Sequence, residues 1–169
     1  MSVETVEIRR AGESDIANLI ALIESVSAEE RWIATELPLD RERRANAYRT
    51  TLARSDATIL VAIADGAIVG EVGMFCNWRG LYELGMAIEQ VWRGKGLGSR
   101  LLEAAIAWAR SAGGHKISLD VFPHNDAAVA LYEKFGFARE GYHPKHLRRK
   151  NGELWDVISM GLSLRPNGE

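Results

Sequence analysis

Residues 81–102 constrain this chain more than any other stretch. Leu81–Ile88 is a short, largely apolar run with the look of a strand. Arg93-Gly94-Lys95-Gly96-Leu97-Gly98 then sets a glycine at every second position. From Ser99 onward, apolar residues at 101, 102, 105, 106 and 109 predict a helix by their spacing. Strand, glycine turn and helix in that order have a physical use. Glycine lets backbone approach a ligand closely, and a helix start adds unpaired N–H groups and the positive end of its dipole. Together they form a cradle for a pyrophosphate.

Other glycine-rich motifs fit less well. An ATP-binding P-loop ends in Gly-Lys-Ser/Thr, whereas Lys95 is followed by Gly96. A dinucleotide fingerprint needs a third glycine where Ser99 stands and opens its domain, whereas ninety-two residues precede Arg93, although Asp120 lies at a suitable distance downstream. A turn with no ligand leaves the density of helix-unfriendly residues unexplained. The pattern that remains is Arg/Gln-x-x-Gly-x-Gly/Ala, matched by Arg93, Gly96 and Gly98.

This stretch resembles the acyl-CoA-binding motif of the GCN5-related N-acetyltransferases. A second segment, Asn125–Phe137 (NDAAVALYEKFGF), resembles that family's Asn-x-x-Ala-x-x-Leu-Tyr-x-x-x-Gly-Phe helix. The resemblance covers roughly residues 4 to 164. It implies an α+β fold with a mixed, mostly antiparallel central sheet of about seven strands flanked by about four helices. It also implies acetyl-CoA as co-substrate, a primary amine as acceptor, and a homodimer as a common assembly.

The rest of the chain agrees with such a fold. Val3–Arg10 alternates as a first strand. Ser14 or Asp15 can cap a helix with Ile16, Leu19, Ile20 and Ile23 on one face. Residues 27–39 have no period, and Asp40 can cap a second helix over 41–53. Asp65-Gly66 is a tight-hairpin signal between strands 58–64 and 67–76. Gly113-Gly114 ends the long helix, Lys116–Val121 is a strand, and Asn125 caps the helix carrying Tyr132. Residues 138–142 and 153–164 read as the last strands, the basic run Lys145–Lys150 between them being a solvated hairpin tip or, alternatively, a lip that attracts a carboxylate of the acceptor or the cofactor phosphates.

With 169 residues, 47% hydrophobic and 26% charged, residues 1–169 suit one globular domain. A net charge of −2 and a single basic run without interleaved aromatics give no case for nucleic acid. No apolar run is long enough to cross a bilayer, and Met1–Glu7 lacks a signal peptide's apolar core. The lone Cys76 allows no internal disulfide and sits in no metal-ligand spacing, so no metal is expected. These features suggest a cytoplasmic protein.

N-acetylation needs a cradle, a polarised thioester carbonyl, a proton for the leaving thiolate and a neutral amine. Arg93 and Lys95 can add charge beside phosphates. Gly94, Gly96, Leu97, Gly98 and Ser99 act through backbone N–H groups. The resemblance implies that the strand before the cradle pairs with the pantetheine arm at Met86, Ala87 and Ile88, that Asn125 contacts that arm, and that Tyr132 is the general acid. Lys134 can reach the 3′-phosphate. Gly85 can mark a bulge that opens this strand from its neighbour. For the base, Glu83 is the first candidate and Glu71 its rival, with water chains as a third route. Trp32, Ile33, Glu36 and His143 are candidates for the acceptor pocket. The acceptor itself stays open between a small amine (an amino acid or polyamine) and a protein N-terminus or lysine. A non-catalytic acyl-CoA-binding module is the remaining alternative, against which the retained Tyr132 and complete cradle speak.

Overall fold

The computed structural model describes residues 5–164. Its chain order is β1 (Glu7–Arg10), α1 (Ile16–Ser27), α2 (Arg41–Leu52), β2 (Ala57–Ala64), β3 (Ala67–Trp78), β4 (Leu81–Ile88), α3 (Leu97–Ser111), β5 (Lys116–Val121), α4 (Asp126–Lys134), β6 (Ala138–Arg148) and β7 (Leu154–Ser163). Val3 and Glu4, expected in the first strand, lie outside the described residues.

All seven strands join one sheet in the order β1-β2-β3-β4-β5-β7-β6. Every pairing is antiparallel except β4 with β5. The turn chemistry explains the hairpins. Asp65 and Gly66 both have positive φ (49° and 79°), the geometry that matches the twist of a two-residue hairpin. Asp40 accepts a hydrogen bond from the Arg43 N–H and so caps α2. Asp15 does not cap α1 with its side chain. It binds the Arg9 guanidinium at 2.8 and 2.9 Å instead, fixing the entry into α1 from β1.

The parallel pair decides where a ligand can enter. Only three residue pairs join β4 to β5: Leu81 with Lys116, Tyr82 with Ile117 and Glu83 with Ser118. Beyond Glu83 the strands part, so the β5-facing edge of residues 84–88 has no strand partner. The expected bulge at Gly85 is absent. β4 stays in unbroken register with β3 from Gly70/Ile88 to Cys76/Tyr82, and the irregularity comes later, between Cys76 and Trp78. Each strand stays in register with its outer neighbour, β4 with β3 and β5 with β7, while the two part from each other.

Two apolar layers cover the sheet. On one face α3 and α4 bury Leu97, Leu101, Leu102, Ala105, Ile106 and Ala109 against Tyr82, Leu84, Ile117, Leu119, Ile158 and Met160. On the other, α1 and α2 bury Leu19, Ile23, Val26 and Tyr48 against Ile59, Val61 and Ala87. Strand alternation therefore sends Tyr82, Leu84, Met86 and Ile88 toward α3, and Glu83, Gly85 and Ala87 toward α1 and α2.

Candidate active site

The glycine turn is built as a cradle. Gly94 and Gly96 adopt positive φ (70° and 90°), and a Cβ on either would meet nothing within 4 Å. Gly96 is the left-handed residue just before α3, which leaves the first N–H groups of the helix without intrahelical partners. Gly98 serves a different purpose. A Cβ there would come within 3.0 Å of Leu131 and 3.4 Å of Ile88, so its smallness brings α4 and β4 against the start of α3. Leu97 is fully buried beneath the turn, Ser99 is half-buried, and Lys95 reaches back over the Trp92 ring at 5.6 Å.

Arg93 departs from expectation. Its guanidinium forms a two-point ion pair with Glu29 at 2.6 and 2.8 Å, and its Nε donates to the Ile88 carbonyl at 2.8 Å. Trp32 donates its indole N–H to the same Glu29 at 2.6 Å. Arg93 holds Glu29 well below the usual carboxylate range through that hydrogen bond, against the desolvation that would raise it. Arg93 thus ties the end of β4 to the segment after α1; its charge is spent on a protein carboxylate, whatever else it touches.

That segment, residues 28–39, bridges both lips of the open strands. On the β4 side it is held by Arg93. On the β5 side, the Arg31 carbonyl bonds to His124, whose ring stacks on Phe122 at 5.4 Å and meets Trp155 edge-on. At its far end Arg149, only 4% exposed, donates to the carbonyls of Ile33 (3.1 Å) and Ala34 (3.2 Å), pairs with Glu36 and lies 4.2 Å over Trp155. Lys150 binds the same Glu36 through its N–H and the Leu37 carbonyl through its ammonium. Within the basic run Lys145, His146 and Arg148 are exposed, as a solvated tip would have them, but Arg149 is buried and Lys150 is engaged. β6 continues through Arg148, and its last cations strap down the α1–α2 segment. Trp32, Ile33 and Glu36 are engaged in this strap, with Ile33 packed against the α1–α2 core.

Tyr132 stands on the opposite face of the sheet. Its ring is buried beside Phe137 at 5.6 Å, and its hydroxyl makes no hydrogen bond to the described residues. Burial alone pushes that hydroxyl up to about 12. Asn125 caps α4 by accepting from the Ala128 N–H at 3.3 Å. Lys134 is exposed in the last turn of α4, 5.9 Å from the Phe135 ring.

The two glutamates occupy different surroundings. Glu83 is exposed at the point where β4 and β5 part, hydrogen-bonded to the Asn77 side chain. Glu71 lies under α2, in register with Ala87, and accepts from the Tyr48 hydroxyl at 3.2 and 3.3 Å. Desolvation pushes Glu71 up to about 7, although the Tyr48 hydrogen bond and the Arg44 charge both pull it down. Burial first and then the Glu71 charge hold Tyr48 far above the usual phenol range, so it stays a donor. His143 is remote from both glutamates along the sheet, on β6, with its Nε2 2.7 Å from the Ser159 hydroxyl.

This architecture has relatives. A profile of the acetyltransferase (GNAT) family matches residues 20–137. The chain belongs to the GNAT family. It is 33% identical over 165 residues to the L-methionine sulfoximine/L-methionine sulfone acetyltransferase of Pseudomonas aeruginosa, covering 94% of this chain and 95% of that protein. Among solved structures, a GNAT acetyltransferase from Streptococcus pneumoniae superposes with a TM-score of 0.84 at 31% identity, over 94% of this chain and 99% of that one. The acetyltransferase YncA of Salmonella typhimurium, solved with acetyl-CoA, shares the fold at a TM-score of 0.86 and 23% identity, over 98% and 97% of the two chains. This GNAT member is an N-acetyltransferase of a family that uses acetyl-CoA.

Tyr48, Arg44 and Glu29 carry no motif that marks them in the sequence, and Arg149 is marked only as one cation of the basic run. Each belongs to an element whose pattern reads as ordinary surface helix, loop or hairpin. The one available signal was Glu71 itself, a carboxylate among the apolar residues of β3 that demands a buried partner.

Proposed function

We propose that this GNAT enzyme acetylates the amine of a small, amino-acid-like molecule, with Tyr132 as proton donor and Glu71 as proton acceptor. The residues present suit acetyl-CoA: open glycines in the cradle, an unpaired β4 edge over 84–88, and a buried phenol with no protein partner. When bound, acetyl-CoA supplies a thioester whose carbonyl carbon the amine attacks, releasing the thiol. A backbone N–H of Met86 or Ala87, whichever faces the unpaired edge of β4, polarises that carbonyl as in an oxyanion hole. The Glu71 carboxylate, poised near neutral pH, takes the proton that the amine nitrogen loses. Tyr132 gives its proton to sulfur and regains one from solvent. Its raised position keeps it protonated across the working range.

The Tyr132 hydroxyl carries this reading: its ring is packed in the α3–α4 core beside Phe137, and its hydroxyl, bonded to no other group among the described residues, has its proton free for a ligand. The small-molecule acceptor is supported by the relative named for two methionine derivatives, aligned over nearly the whole of both chains. A cytoplasmic site of action agrees with the lone cysteine and with the absence, among the described residues, of a helix able to cross a membrane. The test is thiol release from acetyl-CoA with L-methionine sulfone, free amino acids, polyamines and N-terminal peptides as acceptors. Free amino acids should be preferred. In Tyr132→Phe, kcat should fall roughly ten- to a thousandfold while acetyl-CoA affinity holds. Equal losses in affinity and rate would make Tyr132 a binding residue instead, and a preference for peptides would move the acceptor to proteins.

A further inference from the structure

Gly73 on β3 and Gly85 on β4 face each other across the ladder, in a row with Glu71/Ala87 on one side and Phe75/Glu83 on the other. The row lies on the face turned toward α1 and α2. Glycine in a strand interior weakens the strand, so a facing pair needs a reason. Backbone geometry is not the reason: neither glycine has positive φ, and neither sits at the β3–β4 irregularity. Packing is not the reason either, since a Cβ on Gly73 or Gly85 would meet nothing within 4 Å. What the pair provides is an open floor.

One end of that floor carries complementary groups. Glu71 offers carboxylate oxygens, oriented by Tyr48. Arg44, half-buried on α2, makes a hydrogen bond to the Thr35 hydroxyl at 3.1 Å and has no ion pair among the described residues. Arg44 and Tyr48 are four residues apart on α2 and therefore share the helix face whose Tyr48 reaches Glu71. A hydrogen-bond acceptor and, on the same face of α2 but not bonded to it, a guanidinium without an ion pair suit a molecule that carries both an amine and a carboxylate.

We infer that the acceptor is an α-amino acid lying on the Gly73–Gly85 floor, its amine at Glu71, its carboxylate at Arg44 and its side chain over the glycines toward Phe75 and Glu83. This rests on the transferase reading above and deepens it. The glycines set the room for the side chain. Arg44 discriminates an amino acid from a simple amine through charge-assisted hydrogen bonds to the carboxylate.

The experiment compares free L-amino acids with their decarboxylated amines, for instance L-methionine with 3-(methylthio)propylamine. Acceptor affinity is measured by calorimetry on the CoA complex, beside steady-state rates. Gly73→Val should fold with unchanged or higher Tm and unchanged CoA affinity, and both Gly73→Val and Gly85→Val should weaken amino-acid binding about tenfold or more. Arg44→Gln should raise the KM of the amino acid roughly ten- to a hundredfold, leave that of the matching amine within about twofold, and be partly rescued by Arg44→Lys. If the wild type turns over amino acids while Gly85→Val binds them normally, the floor is wrong. If the wild type prefers the decarboxylated amine of every pair, or if Arg44→Gln weakens both members equally, the carboxylate assignment is overturned. If it acetylates no small acceptor at all, the preceding reading fails and takes this one with it.

Discussion

Glu71 is the residue whose physics is most exposed to measurement. Its carboxyl sits near 7 in the fold against an ordinary value of 4.5, chiefly through desolvation. A carboxyl raised by folding stabilises the protein while it is protonated. That contribution is complete below the ordinary value and lost as pH rises through 7. The wild type should therefore lose stability between about pH 5 and pH 8 relative to Glu71→Gln, by an amount on the order of 2 kcal/mol. Denaturant unfolding of both proteins across that range checks it, and parallel curves would show that Glu71 ionises normally. In kinetics, the same substitution should lower kcat and remove the limb near pH 7, leaving only the limb of the amine's own deprotonation. Glu83, exposed beside Asn77, should show neither effect when changed to Gln.

At the level of elements, the 28–39 segment is held by side chains far away in sequence. Arg149 reaches Ile33 across 116 positions, and Arg93 reaches Glu29 across 64. Arg149→Met keeps the stem on Trp155 but removes the donors, leaving the carbonyls of Ile33 and Ala34 without them and Glu36 held by Lys150 alone. Losing one member of so enclosed a pair costs about 3–5 kcal/mol, less where water reaches Glu36. The variant should show faster tryptic cleavage after Arg31 and a raised acceptor KM, with acetyl-CoA affinity changed less. Cleavage at the wild-type rate would mean that the segment is held by its aromatic contacts alone. This is also where legibility ended. Helix α3 could be read because its apolar spacing is local, and the 65–66 hairpin because its turn requires two left-handed residues. The 28–39 segment has no period, and its position depends on partners that only the folded sheet brings near. β6 was read too short for a related reason: as an edge strand largely exposed on both faces, it lacks alternation beyond Tyr142. The opening of β4 from β5 agrees with the sequence reading, but no bulge at Gly85 accompanies it: the ladder to β3 runs through Gly85 unbroken, and the end of a pairing between strands thirty residues apart is not encoded locally.

The molecule as a whole is two half-sheets meeting at three residue pairs. β1 to β4 form one half, and β5, β7 and β6 the other. So thin a seam would suggest independent units if the strands stood alone. The α3–α4 core argues otherwise, because one continuous cluster joins Val72, Met74 and Leu84 of the first half to Leu119, Ile158 and Met160 of the second through Leu101 and Leu102. The two halves should accordingly unfold in one cooperative transition, and a ligand seated between them should stabilise both at once. CoA present at a hundred times its dissociation constant adds about 2.7 kcal/mol to a state that alone binds it. For a chain of this size that is roughly 5–11 °C in Tm. Amides of Leu84–Ile88 should gain protection from hydrogen exchange along the β5-facing edge, while those of β1 and β2 change only with global stability. Leu101→Ala, which removes a fully buried side chain from the shared core, should lower stability by about 2–5 kcal/mol and leave a single transition. Two resolved transitions, with CoA moving only one of them, would show that the seam rather than the shared core governs how the halves are coupled.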